Sequence, residues 1–88
     1  MDAQNSTTKL TTARTFDFIP VVDDSLLEVR AGIDVFFAQT KAGALESAVL
    51  GVIRQGVSNN GLDPDTLALC ELALDAAQAL RASAGQEA

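Results

Sequence analysis

The sequence lacks most of the side chains from which enzyme sites and crosslinked folds are built. It has no histidine, tryptophan or tyrosine, and Cys70 is its single cysteine. An internal disulfide framework is therefore excluded, and a zinc site would depend on carboxylates, which zinc rarely accepts alone. No catalytic constellation, phosphate-binding glycine loop or EF-hand pattern occurs in the sequence. We therefore predict a protein that is not an enzyme and that uses no cofactor or metal.

Positive charge is also scarce. Of the 88 residues, 12 are acidic and 6 are basic, and the formal charge of −6 falls entirely on residues 23–88. Because an acidic surface repels phosphate backbones, we expect no direct nucleic-acid binding. The N-terminus has neither the basic start nor the apolar run of a secretory signal, and no apolar stretch is long enough to span a bilayer. Together with one unpaired cysteine, these features predict a cytoplasmic protein with no membrane segment.

Alanine and leucine dominate the apolar residues, with 15 and 11 copies, and this composition favours helices over strands. Residues 1–14 are rich in Asn, Ser and Thr, so we predict a disordered tail there. Residues 15–88 are expected to form a single helical domain that opens with an extended arm over residues 15–32. Within the arm, residues 26–30 fit either a short strand or a short helix. The alternation of Leu27-Glu28-Val29 slightly favours the strand.

Two long helices are predicted in the rest of the chain. The first spans residues 34–57, where apolar residues recur at alternating spacings of three and four. The second spans residues 64–82, with Asp63 as N-cap and Pro64 at the first helical position. A polar turn joins them into an antiparallel helical hairpin. On the first helix, a row of small residues that includes Gly43 is expected to let another helix approach closely.

The second helix has apolar residues in two rows, one through Leu67 and Leu74 and the other through Leu69 and Leu80. One helical neighbour buries a stripe about 100° wide, so a single hairpin leaves apolar surface over. We therefore predict a mainly α fold in which two hairpins pair as a homodimer and form a four-helix bundle. The alternative is a monomer in which the arm covers this surface. The predicted interface residues are Phe36, Phe37, Leu50, Ile53, Val57, Leu69, Leu72 and Leu80.

These features predict a non-catalytic protein–protein interaction module, a small acidic helical dimer that regulates or inhibits another protein. The alternative is a phage- or defence-associated inhibitor that mimics nucleic acid through surface carboxylates. Its closest acidic clusters are Asp23/Asp24 and Asp63/Asp65. A third class, a small ligand bound in the bundle core, is disfavoured because few polar groups face that core.

The segment Leu27-Glu-Val-Arg-Ala-Gly-Ile33-Asp34 leads into a long alanine-rich helix, and Glu71-Leu-Ala-Leu-Asp-Ala-Ala-Gln-Ala-Leu80 lies in the next one. Over residues 26–82 this order resembles a family of small pseudomonad proteins of unknown function, whose members have an F-x-V-x-x-G-[IV] motif before a helical hairpin. The resemblance implies a strand, a turn and two helices in that order. It implies no activity, cofactor or site residue.

Overall fold

A computed structural model describes residues 9–85 of the chain. These residues form strand β1 (Arg14–Ile19), strand β2 (Asp24–Val29), helix α1 (Val35–Ser58) and helix α2 (Pro64–Ser83), in that order. The strands pair with each other as an antiparallel hairpin, and the two helices pack along each other. None of the helices in this part of the chain combines the length and the apolar character required to cross a membrane.

The fold class expected from composition, mainly α with a four-helix bundle dimer, is wrong. Residues 9–85 combine two helices with a two-stranded antiparallel sheet, in which Arg14 pairs with Val29 and Ile19 pairs with Asp24. The extended arm is therefore a β-hairpin, and the strand interpretation of residues 26–30 fits better than the helical one. Composition favoured helices because it averages over the whole chain. Residues that favour strands nevertheless occur in both strands, Phe16, Phe18 and Ile19 in β1 and Val29 in β2.

The β-hairpin packs on α2 and stays clear of α1. No Cα atom of either strand lies within 8 Å of a Cα atom of α1, and β1 contacts α2 more extensively than β2 does. Ala79 and Ser83 of α2, near the strands, are buried. Leu69 and Leu72 lie toward the other end of α2 and stay exposed. The second apolar row of α2 thus has a neighbour from its own chain, but only along the C-terminal half of the helix.

Residues 9–12 form a third extended segment beside the start of α1. The Val35 N–H donates to the Lys9 carbonyl at 2.9 Å, and the Thr12 N–H donates to the Ser83 carbonyl at 2.9 Å. These bonds attach the segment to the first turn of α1 and to the last turn of α2. Of the tail predicted over residues 1–14, residues 1–8 lie outside the described residues, whereas residues 9–12 are hydrogen-bonded.

Both helices begin at an aspartate that caps them. The Phe36 N–H donates to Asp34 Oδ1 at 2.9 Å, and the Thr66 N–H donates to Asp63 Oδ1 at 2.7 Å. Because a capping carboxylate satisfies N–H groups that have no partner inside the helix, these positions fix where each helix begins. The observed bounds differ from the predicted ones by one residue at three of the four ends. The buried residues of α1 are Ala38, Ala42, Val49 and Gly56.

The glycines in the row of small residues on α1 have no close neighbour among residues 9–85. A Cβ atom built at Gly43 or Gly51 would meet nothing within 4 Å. The expectation that this row lets another helix approach is therefore not met by α2. Close approach occurs instead at Gly56, where the chain leaves α1 for the turn that leads to α2.

Candidate functional site

An apolar groove separates the β-hairpin from α1, above the C-terminal half of α2; we call it the strand-side groove. It exists because the strands pack on α2 and leave a gap beside α1, and its volume is about 420 Å³. This volume lies in the range of small-molecule and peptide sites. Its main apolar lining residues are Phe16, Val29, Phe37, Leu45, Ala76 and Leu80.

Three ionisable residues also line the strand-side groove. Glu28 and Arg30 lie at the end of β2 and just beyond it, and Lys41 lies on α1. Two of the chain's 6 basic residues therefore line one groove of a protein whose formal charge is −6. Within residues 9–85, neither Arg30 nor Lys41 forms an ion pair. The groove thus combines an apolar lining with a net positive charge.

Helical and strand geometry place the lining side chains. Phe37, Lys41 and Leu45 follow one another at intervals of four residues, so they form one row along α1. On the sheet, Asp17 adopts a φ of +60°, and the pairing of β1 with β2 keeps the same register on both sides of it. Phe16 is half-buried, whereas Phe18, two residues later, is 56% exposed.

A second apolar surface lies on the opposite side of the helical hairpin, and we call it the outer face. Ile53 lies two helical turns from Glu46, and Leu74 lies two turns from Arg81, so both share the side of the Glu46–Arg81 ion pair. Leu50 is a helical neighbour of Glu46 on the same side. The large apolar residues of the outer face are Leu50, Ile53, Val57, Leu67 and Leu74, each at least 40% exposed.

Glu46 and Arg81 form a bidentate ion pair between the helices, next to the outer face. Arg81 Nε donates to Glu46 Oε2 at 2.8 Å, and Arg81 Nη2 donates to Glu46 Oε1 at 2.6 Å. The hydrogen bonds from the guanidinium lower the pKa of the Glu46 carboxyl, and the pKa of Arg81 is raised by the same bonds. Since both donors come from one planar group, the pair fixes the register of the two helices.

The residues predicted to form one interface lie on several surfaces. Leu50, Ile53 and Val57 belong to the outer face, whereas Phe37 and Leu80 line the strand-side groove. Leu69 lines a smaller pocket of about 180 Å³ between the helices. The remaining two are exposed: Leu72 on α2, and Phe36, whose ring lies edge-on to Phe37 with centroids 5.7 Å apart. All except the half-buried Leu80 are exposed in the single chain.

The acidic clusters have local structural roles. Asp63 caps α2, and its hydrogen bond from the Thr66 backbone lowers the pKa of the Asp63 carboxyl. Asp24 Oδ1 accepts from the Ser25 N–H at 2.8 Å, beside the turn in which Asp23 adopts a φ of +53°. No three Asp, Glu, Cys or His side chains are grouped as metal ligands between residues 9 and 85. Within the described residues, the structure therefore does not single out a carboxylate surface of the kind that would mimic nucleic acid.

Sequence reasoning missed the charged part of the groove. Neither Arg30 nor Lys41 was singled out from the sequence. The spacing of Phe37, Lys41 and Leu45 places the three on one side of α1, but no pattern in the sequence connects that side with Val29 of β2. This connection depends on how the β-hairpin packs on α2.

No protein-family model matches this chain, and no curated protein or solved structure is significantly similar to it. The resemblance over residues 26–82 therefore stays a prediction.

Proposed function

We propose that this protein is a non-catalytic protein–protein interaction module that regulates or inhibits another protein and that self-associates through the outer face. The observation that carries the proposal is the exposure of large apolar side chains along one side of both helices. Ile53 is 41% exposed, and Val57, one turn further, is 78% exposed. Soluble monomers rarely leave a contiguous apolar patch of this kind uncovered.

The position of the β-hairpin supports the choice of the outer face. The strands cover part of α2 on the opposite side of the helices, and no segment of residues 9–85 covers Leu50, Ile53 or Leu74. A second copy of the chain would supply a matching apolar surface, because a twofold interface uses the same patch on both subunits. In this proposal the protein acts in the cytoplasm, where the buried thiol of Cys70 stays reduced.

Sedimentation equilibrium at low micromolar concentration tests the self-association. We expect the wild-type chain to sediment at twice its mass of 9.2 kDa. Ile53→Glu places a charge in the outer face and is expected to give a monomer. The matched control is Ala44→Glu, since Ala44 is exposed and lies on the opposite side of α1 from Ile53. A wild-type mass of 9.2 kDa, or equal dissociation by both variants, contradicts the self-association.

A further inference from the structure

Within residues 9–85, no strand pairs with the edge of β2 that faces away from β1. The sheet has two strands, and the backbone groups on that edge make one hydrogen bond among residues 9–85, from the Ser25 N–H to the Asp24 side chain. A two-stranded sheet is only marginally stable alone, and an open edge presents N–H and C=O groups to which another strand can pair. Extended peptides bind many proteins in this way, as an added strand.

The strand-side groove lies where such an added strand would run. Because β1 contacts α2 more extensively than β2 does, β2 is the strand further from that helix. Residues 28–30 line the groove together with Phe37, Lys41 and Leu45 of α1. A peptide paired with β2 would thus lie between β2 and α1. Every second side chain would point toward the apolar floor, which includes Ala76 and Leu80.

The charge in the groove indicates how the peptide ends. Arg30 and Lys41 outweigh Glu28, whereas the chain as a whole carries −6. The groove therefore attracts an anionic group, although its floor accepts only apolar side chains. A free C-terminal carboxylate meets both conditions, because it provides a negative charge without a polar side chain in the groove.

We propose that the strand-side groove binds the extended C-terminal end of a partner protein, which adds to β2 as a third strand with its α-carboxylate held by Arg30 and Lys41. This inference rests on the proposed role as an interaction module and names the partner segment. The strand-side groove lies on the side of the helical hairpin opposite to the outer face. A second copy bound at the outer face and a peptide bound in the groove do not compete.

The test uses a pool of pentapeptides in which Thr alternates with Val, Ile, Leu or Phe and which end in an apolar residue with a free carboxylate. The pool is titrated into the full-length, isotope-labelled protein, and binding is followed by amide chemical shifts and amide hydrogen exchange. We expect shifts along Leu27–Arg30 and Phe37–Leu45, with slower exchange in β2. A pool with amidated C-termini is expected to bind about tenfold more weakly.

Two controls distinguish pairing of the peptide backbone with β2 from nonspecific binding through apolar side chains. In a pool with N-methylated peptide bonds the side chains are kept, but the methyl groups replace the N–H donors and keep the peptide backbone from approaching β2, so we expect no slowing of exchange in β2. Lys41→Gln is expected to reduce the preference for the free carboxylate, whereas Arg54→Gln removes the same charge from another side of α1 and leaves the preference unchanged. Lys41 is exposed, so this substitution leaves the fold intact.

Several outcomes overturn the inference: no binding by the free-carboxylate pool, equal binding by the amidated or N-methylated pools, or shifts confined to the outer face. The proposed self-association is tested separately, by measuring the mass of the wild-type and Ile53→Glu proteins without peptide. Ile53→Glu is expected to bind the pool as the wild type does, because Ile53 lies outside the groove.

Discussion

Leu62 packs against Gly56 so closely that no side chain fits between them. A Cβ atom built at Gly56 would lie 2.6 Å from Leu62 Cγ, and in the same turn the Gly61 N–H donates to the Gly56 carbonyl at 2.6 Å. Gly56 is buried at the end of α1, and Leu62 precedes the N-cap of α2. The absence of a side chain at residue 56 therefore lets the turn fold back and place α2 along α1.

Gly56→Ala is expected to destabilise the protein. Alanine improves helix propensity by about 1 kcal/mol, but overpacking against Leu62 costs roughly 1–3 kcal/mol, so we expect a net loss of up to about 2 kcal/mol. Urea unfolding followed by circular dichroism measures the change. Leu62→Ala removes the obstructing side chain, so adding Gly56→Ala to that variant is expected to cause little further loss. An equal loss in both backgrounds would show that the contact does not matter.

Gly51→Ala is expected to have the opposite effect. Gly51 lies inside α1, and a Cβ atom there meets nothing within 4 Å. The substitution removes the conformational freedom of glycine without a steric penalty, so the free energy of unfolding should rise by about 1 kcal/mol. The same urea titration compares it directly with Gly56→Ala. A decrease would mean that another molecule packs against Gly51.

Thr11→Val is expected to destabilise the chain by roughly 1–3 kcal/mol for each backbone group that it leaves without a partner. Thr11 is 4% exposed, its hydroxyl donates to the Arg30 carbonyl at 2.7 Å, and it accepts from the Ile33 N–H at 3.0 Å. Valine has nearly the same shape but makes neither bond. Thermal unfolding checks the effect against Thr12→Val, an exposed neighbour expected to change stability by less than about 0.5 kcal/mol. Thr11→Ser should keep most of the stability, since it retains the hydroxyl.

Stability is expected to fall in acid because of two carboxyls. Hydrogen bonds from Arg81 hold the pKa of Glu46 below its ordinary value of 4.5, and hydrogen bonding to Thr66 holds that of Asp63 below 3.8. A lowered folded pKa means that the folded chain binds protons more weakly than the unfolded chain. The contribution is therefore fully present above the ordinary pKa values and is lost as the pH falls through the lowered ones.

The double variant Glu46→Gln/Asp63→Asn is expected to lose less stability over that pH interval than the wild type does. Asparagine caps a helix about as well as aspartate, so the Asp63→Asn change removes the titrating group and keeps the cap. Urea unfolding at a series of pH values from about 7 down to about 3 compares the two proteins. Identical slopes of stability against pH would refute the assignment to these carboxyls.

Much of the local structure could be predicted because its causes lie within a few residues of each other. Asp63 and Pro64 mark the start of α2 through capping and a fixed φ. The alternation of Leu27-Glu28-Val29 favoured a strand, and a strand forms there. The prediction of a mainly α fold failed because the arm was predicted as one extended segment, without a pairing between its two halves. Pairing of residues 14–19 with residues 24–29 needs a turn through Asp23, whose left-handed conformation carries only a weak sequence signal.

The candidate site was only partly predictable. Ile53 and Leu50 could be named because helical periodicity identifies apolar residues that exceed what one neighbour buries. The strand-side groove could not, because Lys41 and Arg30 meet only after the β-hairpin has packed on α2. The partner of Arg81 lies 35 residues away in the sequence, and no local pattern identifies it.

The amino-acid sequence by itself determined the two helices, their caps, the acidic charge and the surplus of apolar residues, since each depends on spacing along one segment or on composition. Only the tertiary structure decided which helix the β-hairpin covers and which apolar residues stay exposed. These outcomes depend on the packing of surfaces that are distant in sequence, where small differences in shape and burial select one arrangement among several that satisfy the same local pattern.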